Sequence, residues 1–298
     1  MTERGRPVRQ MTYTRRGVST AHGADHLTPS TSLWTGFLSL RFLGQPCGMT
    51  RIGIARRSLA ATIELALPTT CGGCGASGAT WCVMCEDETG HATYPGGGRQ
   101  VCPTPCPVGL PPTWAASPYG GATRAALVAF KDGDRRDLVA VLAPMLSGAM
   151  AAALAGVPHL RAVLASGNGP VFVVPVPSSR AAVRRRGDAP LEQLTRAADR
   201  QVGLSEHELI VAPALRLRRR VADQAGLDQR QRSDNLERAI QVRPRWRASI
   251  RGVSALVVDD VLTTGATLVE AARALNAGGA SHVAAATVAA TQRRGIPV

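Results

Sequence analysis

A parallel α/β sheet flanked by helices, behind a small N-terminal four-cysteine module, is the fold this sequence predicts. Three observations predict it. The stretch Ser254-Ala-Leu-Val-Val-Asp-Asp-Val-Leu-Thr-Thr-Gly-Ala-Thr-Leu268 reads as a buried strand, two adjacent carboxylates, a hydroxyl-and-glycine turn and the start of a helix. Strand-like and helix-like runs alternate from Gly121 to Ala290, the pattern of a doubly wound sheet. Cys71-Gly-Gly-Cys74 and Cys82-Val-Met-Cys85 form a paired C-x-x-C arrangement ahead of them.

The elements follow in chain order. Residues 1–48 are rich in Arg, Thr, Ser and Gly without a helical or strand period, and read as a disordered extension or a mis-called start upstream of Met49. A basic arm that touches nucleic acid is the other reading of that segment. Apolar spacing from Ile52 to Leu67, ended by Pro68, predicts a helix within 49–67. The four-cysteine module and a Gly/Pro-rich linker fill 68–112, with 87–118 expected as linker or irregular loop, and the α/β domain spans 113–298. Within it, Gly121–Lys131 and Asp134–Ala155 read as helices, the second with Asp134 near its N-cap. Val171–Val174 is a buried strand stopped by Pro175 and Pro177, Leu191–Val202 a helix, and Val283–Ala290 a strand of small residues after the helix Leu268–Ala277.

The chemistry concentrates in two places. In an open α/β sheet, ligands bind at the carboxyl ends of strands, where the loop after Ala255–Val258 lies. Helix-terminal amides from Thr263, Thr264, Gly265, Ala266 and Thr267 suit a phosphate, and Gly265 permits close approach. Asp259 and Asp260 would be repelled by that phosphate, so hydrogen bonds from neighbouring ribose hydroxyls are the task that fits them. The alternative is a helix cap, which needs one carboxylate and not two. No P-loop and no G-x-G-x-x-G after a strand occurs. In the module, Cys71, Cys74, Cys82 and Cys85 present four thiolates to a tetrahedral ion, structural Zn²⁺ in this reading, with an iron–sulfur cluster as the alternative. Cys102 and Cys106 have no second ligand pair nearby except His91 and are not assigned a metal.

The Asp259–Thr267 loop resembles the ribose-phosphate signature of type I phosphoribosyltransferases, which use 5-phosphoribosyl 1-pyrophosphate. The chain from about Tyr119 to Arg294, with the cysteine module before it, resembles the ComF family of phosphoribosyltransferase-like proteins. The landmarks are Phe130-Lys131-Asp132-Gly133-Asp134, Val174-Pro-Val-Pro177, Arg186-Gly187, and Gln224, Leu227, Arg232 and Asn235. The resemblance implies a type I phosphoribosyltransferase-like sheet, with Mg²⁺ accompanying the donor and no dedicated protein cage for it. It also implies a hood over the substrate carrying Gln224, Arg232 and Asn235, and a lysine near the active site at Lys131. Val176, Pro177 and Ser178, with Arg184, Arg185 and Arg186, are read as pyrophosphate contacts beside Lys131. A rigid turn and a solvated arginine face are the plainer readings of those two segments. Where the family continues Arg-Gly with Phe-Asn-Gln, this chain has Arg186-Gly187-Asp188-Ala189-Pro190, a departure that bears on the acceptor.

Composition narrows the remainder. A chain of 298 residues, 45% of them hydrophobic, can bury a sizeable core. A net charge of +14 points to anionic partners. Lys131 is the single lysine among dozens of arginines, which suggests a site that needs a compact ammonium in place of a planar fork. No membrane span and no secretory leader are expected, and the cysteine pattern suits a cytoplasmic protein. The reading is therefore an enzyme transferring phosphoribose to an unidentified acceptor. The alternative is a non-catalytic competence-type protein that handles single-stranded DNA, or joins competence or recombination proteins, in DNA uptake or recombination. Aromatic residues at 4% weaken a stacking platform for single strands.

Overall fold

The computed structural model describes residues 69–178, 189–204, 208–218 and 238–292. The expected extension over 1–48, the helix within 49–67, and Arg184, Arg185, Arg186, Gln224, Arg232 and Asn235 lie outside the described residues.

A six-stranded sheet organises the fold. Its strands are β1 (Arg99–Val101), β2 (Thr113–Pro118), β3 (Val171–Pro175), β4 (Leu209–Val211), β7 (Ser254–Leu262) and β8 (His282–Ala290), in the order β1-β2-β8-β7-β3-β4. All neighbours are parallel except β1 on β2. A separate antiparallel pair joins β5 (Leu215–Leu217) to β6 (Ile240–Val242). The helices are α1 (Val83–Ala92), α2 (Gly121–Asp132), α3 (Val139–Gly156), α4 (Pro158–Ser166), α5 (Pro190–Val202), α6 (Arg247–Ile250) and α7 (Ala266–Ala277).

Winding direction locates the ligand edge. The unit β7-α7-β8 steps toward β1, whereas β3-α5-β4 steps the other way. Parallel crossovers are right-handed, so α7 and α5 pack on opposite faces, and the adjacent ends of β7 and β3 form the switch point where ligands of such sheets bind. The central strands are apolar on both faces, as full cover demands: Ala255 to Val258 and Val171 to Val174 are all buried.

Several expectations need correction. Residues 87–118, expected as linker or loop, hold the end of α1, a 3₁₀ turn at Pro95–Gly97, and strands β1 and β2. The small, alanine-rich Thr113–Pro118 pairs with β8 along most of its length, so its neighbours supply the strand character that its own sequence lacks. Asp134 does not cap the long helix. It has φ 56°, its carboxylate pairs with Arg136 at 2.6 Å, and a 3₁₀ turn at Arg136–Leu138 precedes α3, which starts without a side-chain cap. Among the described residues one stretch, Arg136–Gly156, is long and apolar enough to cross a membrane. In this fold Leu142, Leu146, Met150 and Ala153 of α3 are fully buried, and the helix packs on β2, β8 and α5 as a core element.

Candidate functional site

The aspartate pair lies in the second half of β7, not in the loop beyond it, because the strand continues to Leu262. Asp259 pairs in register with Thr287 of β8, and Val258 with Pro175 of β3, so both neighbouring strands end on the same edge. Asp259 is buried and its Oδ1 accepts the Asp260 amide at 2.8 Å, while Asp260 Oδ1 accepts the Val261 amide at 2.9 Å. Burial, then the neighbouring Asp260 charge, pushes the Asp259 carboxyl well above the usual carboxylate range, and Lys131 opposes the shift.

Lys131 reaches this site. Its Nζ stands 2.8 Å from Asp260 Oδ2, with the lysine side chain 57% exposed and the aspartate 13%. Helix α2 starts where β2 ends, and its last turn lies over the end of β7, two strands away in the sheet. Burial disfavours the ammonium, but Asp260 and then Asp259 outweigh that cost and hold Lys131 above its ordinary value. The lone lysine is thus the counter-charge of the carboxylate pair.

The loop after β7 turns through Gly265 at φ 82°, a left-handed conformation that favours glycine, and α7 begins at Ala266. A Cβ at Gly265 would also stand 3.0 Å from both Leu110 and Pro107. Thr264 Oγ1 accepts the Ala266 amide at 3.4 Å, and the Gly265 carbonyl takes the first helical bond, from Val269. The first-turn amides of α7, Thr267 among them, have no acceptor within the helix and face outward from its positive end. Thr291, which the sequence reading passed over, pins the loop: its amide and hydroxyl donate to the Leu262 carbonyl, and its hydroxyl also reaches the Thr263 carbonyl at 3.2 Å. Its position one residue after a strand parallel to β7 was the available signal.

The Val176–Ser178 turn offers less than expected. The Val176 amide donates to the Val258 carbonyl at 2.9 Å and Pro177 has no N–H, so Ser178 alone of the three keeps a backbone amide for a ligand.

The four cysteines come together as the spacing requires. Their sulfurs all lie within 4.8 Å of one another, and Cys74 and Cys82 are 3.6 Å apart, against about 3.8 Å for the edge of a tetrahedral zinc–thiolate site. Cys71 Sγ accepts the amides of Gly73 and Cys82 at 3.4 Å each. Burial raises that thiol, but backbone hydrogen bonds outweigh it and bring Cys71 down to about 6; burial and the neighbouring thiols push Cys85 up. A Cβ on Gly73 would stand 2.5 Å from Cys85 Sγ, so glycine there makes room for the cluster. The residues present fit a metal ion held by four thiolates. Cys102 and Cys106 are joined to each other by a disulfide, which the sequence reading does not anticipate.

The module is tied to the site's lysine. Cys71, Cys85 and Ala122 form a small buried cluster, and Glu88 of α1 accepts the Ala122 amide at 3.0 Å, capping the start of α2.

Residues 203–298 match the family model for the phosphoribosyl transferase domain. The fold is of the phosphoribosyltransferase type. The matched segment contains β4 through β8, and with them both aspartates and the Thr263–Thr267 loop, while Lys131, β2, β3 and the cysteines precede it. No curated protein matches the chain.

Proposed function

We propose that this is a ComF-type phosphoribosyltransferase that binds 5-phosphoribosyl 1-pyrophosphate and transfers its phosphoribosyl group to a nitrogen acceptor. The observation that carries the reading is the carboxylate pair of β7, neutralised by Lys131 and followed directly by a helix-terminal phosphate loop.

In this reading the 5′-phosphate lies on the amides of Thr263 to Thr267, and the ribose hydroxyls donate to Asp259 and Asp260. With no donor bound, Lys131 keeps two adjacent carboxylates tolerable. When the hydroxyls take over that duty, the ammonium is released toward the pyrophosphate, where it stabilises charge that grows as the bond from C1 to the pyrophosphate oxygen breaks. The acceptor nitrogen forms the new bond at C1, pyrophosphate leaves with the bonding electrons, and the nitrogen's proton passes to the departing pyrophosphate. Ser178 adds an amide and a hydroxyl on the β3 side; Val176 and Pro177 shape the turn. Arg184, Arg185 and Arg186, and a hood with Gln224, Arg232 and Asn235, complete the anion site.

Asp259 is already spent on a backbone amide and Asp260 on Lys131, a donor set that fits Mg²⁺ carried by the donor's oxygens and its own waters rather than a protein cage. Mg²⁺ held in that way would offset pyrophosphate charge. In the module Cys71, Cys74, Cys82 and Cys85 hold Zn²⁺ as a structural cross-link.

Calorimetric titration with the donor tests the reading. Asp259→Asn and Asp260→Asn should each weaken binding by about 1.5–3 kcal/mol, the scale of a hydrogen bond to a charged group. Unchanged affinity in both variants refutes it.

A further inference from the structure

A second concavity lies at the opposite edge of the sheet. A cavity of about 290 Å³ is lined by Gln241 and Val242 of β6, Arg247 of α6, Arg251, and Arg273, Ala274, Ala277 and Gly278 at the end of α7. Arg251 comes three residues before β7 begins at Ser254, and α7 ends at Ala277, so this is the amino edge of the sheet. Asp260 is six residues further along β7, about 20 Å away at 3.3 Å per residue.

The lining holds three guanidinium groups and no carboxylate. Two explanations for such a cluster fail here. Arginines near the end of a helix can satisfy its last carbonyls, but the amides of Gly278, Gly279 and Ala280 already occupy those of Ala274, Leu275 and Asn276. Arginines can also serve as structural forks. Arg273 does so, bound to Glu270 through Nε and Nη2 and to the Ile240 carbonyl. Arg247 and Arg251 are exposed, and neither side chain has a hydrogen bond or ion pair among the described residues. Arg216 of β5 enlarges the basic surface: with the Gln241 amide turned so that its oxygen faces Arg216, Nε and Nη2 donate to it at 3.1 Å, and the Gln241 amide nitrogen becomes a further donor beside the cavity.

We propose that this cleft binds a phosphate-bearing anion of two or three linked phosphates, independently of the carboxyl-edge site. Unpaired guanidinium groups gathered in one concavity match the bidentate geometry of phosphate oxygens. The volume is at the lower end of small-molecule pockets, which span about 300–1,000 Å³. It has room for two or three linked phosphates. The same phosphates can come from a free polyphosphate or from the end of a nucleic-acid strand.

The experiment uses the full chain, with tripolyphosphate as probe in calorimetry and hydrogen exchange, and a 5′-phosphorylated oligothymidylate as the second arm. Arg247→Gln/Arg251→Gln is the variant, because both side chains are exposed and neither supports the fold. Tripolyphosphate affinity should fall at least tenfold in the variant, residues 247–251 should gain exchange protection in the wild type, and donor binding at the carboxyl edge should be unchanged. An oligonucleotide that competes for the cleft and depends on the same arginines identifies a nucleic-acid end as the source. Failure to compete identifies a free polyphosphate. Equal tripolyphosphate affinity in both proteins, protection confined to 259–267, or no binding to the wild type overturns the proposal.

Discussion

Two carboxylate–cation pairs differ in what surrounds them. Glu270 of α7 is buried, and each of its oxygens is used: Oε2 takes Arg273 Nε at 2.6 Å, while Oε1 takes Arg273 Nη2 at 2.8 Å and the Ile240 amide at 3.0 Å. Arg273 returns a bond to the Ile240 carbonyl, so the pair fastens β6, and with it the paired strand β5, to α7. Asp260 instead sits beside a second, buried carboxylate and relies on one lysine that is more than half exposed. A buried charge held by a guanidinium fork and a backbone amide is a fastener. One held by a single exposed cation next to a like charge can exchange partners, which is what a binding site requires.

The largest expected effect tests the fastener. Glu270→Ala leaves the Ile240 amide and the Arg273 fork without their acceptor. Because the Arg273 side chain is 43% exposed, the loss should be at the low end for a broken buried pair, about 2–3 kcal/mol, seen as a melting point lower by about 5–10 °C. Thermal melts of this variant beside Lys131→Ala would break the comparison if the lysine variant lost more.

Asp259→Asn probes the other pair from the stability side. The folded-state pKa of Asp259 is raised, so the native protein holds a proton that the unfolded chain releases at about 3.9. Its contribution to stability is complete below that pH and is lost as pH rises through the folded pKa. Asparagine keeps the acceptor for the Asp260 amide and carries no charge. The variant should flatten this decline and melt at or above the wild-type temperature at neutral pH, even as donor binding weakens. A lower melting point at every pH would show Asp259 to be structural.

The smallest effect belongs to Lys131→Arg. A planar fork can still neutralise Asp260, yet it should serve the pyrophosphate less well, with donor affinity or turnover lower by about tenfold, or 1.4 kcal/mol, and little change in melting. Wild-type values in both assays would assign Lys131 to charge neutralisation alone.

Legibility in the sequence followed the range of the interactions. The β7 strand, its two aspartates, the Gly265 turn and the clustering of four cysteines depend on neighbours a few residues away, and their spacing revealed them. Lys131 stood out by composition, although its pairing with Asp260 needed α2 to lie across the sheet edge, which no local pattern encodes. Strand β2 and the Val176 amide were misread for a common reason. Their hydrogen bonds go to β8 and β7, more than 80 residues on in the chain, so only the register reveals them. The Glu270 fastener spans 30 residues to Ile240 and was invisible on the same ground.

The Glu88 cap gives the cysteine module a reach beyond its own knuckles. Cys85 and Glu88 share one helix, Glu88 fixes the Ala122 amide in the first turn of the next, and Lys131 rides on the last turn of that second helix, about 14 Å further along. The two helices are joined at one carboxylate. A chelator added to the intact protein should therefore be felt at the far end, as weaker donor binding in step with metal release. Anyone trimming the chain to a minimal α/β domain by cutting ahead of residue 113 would remove the fulcrum along with the thiols.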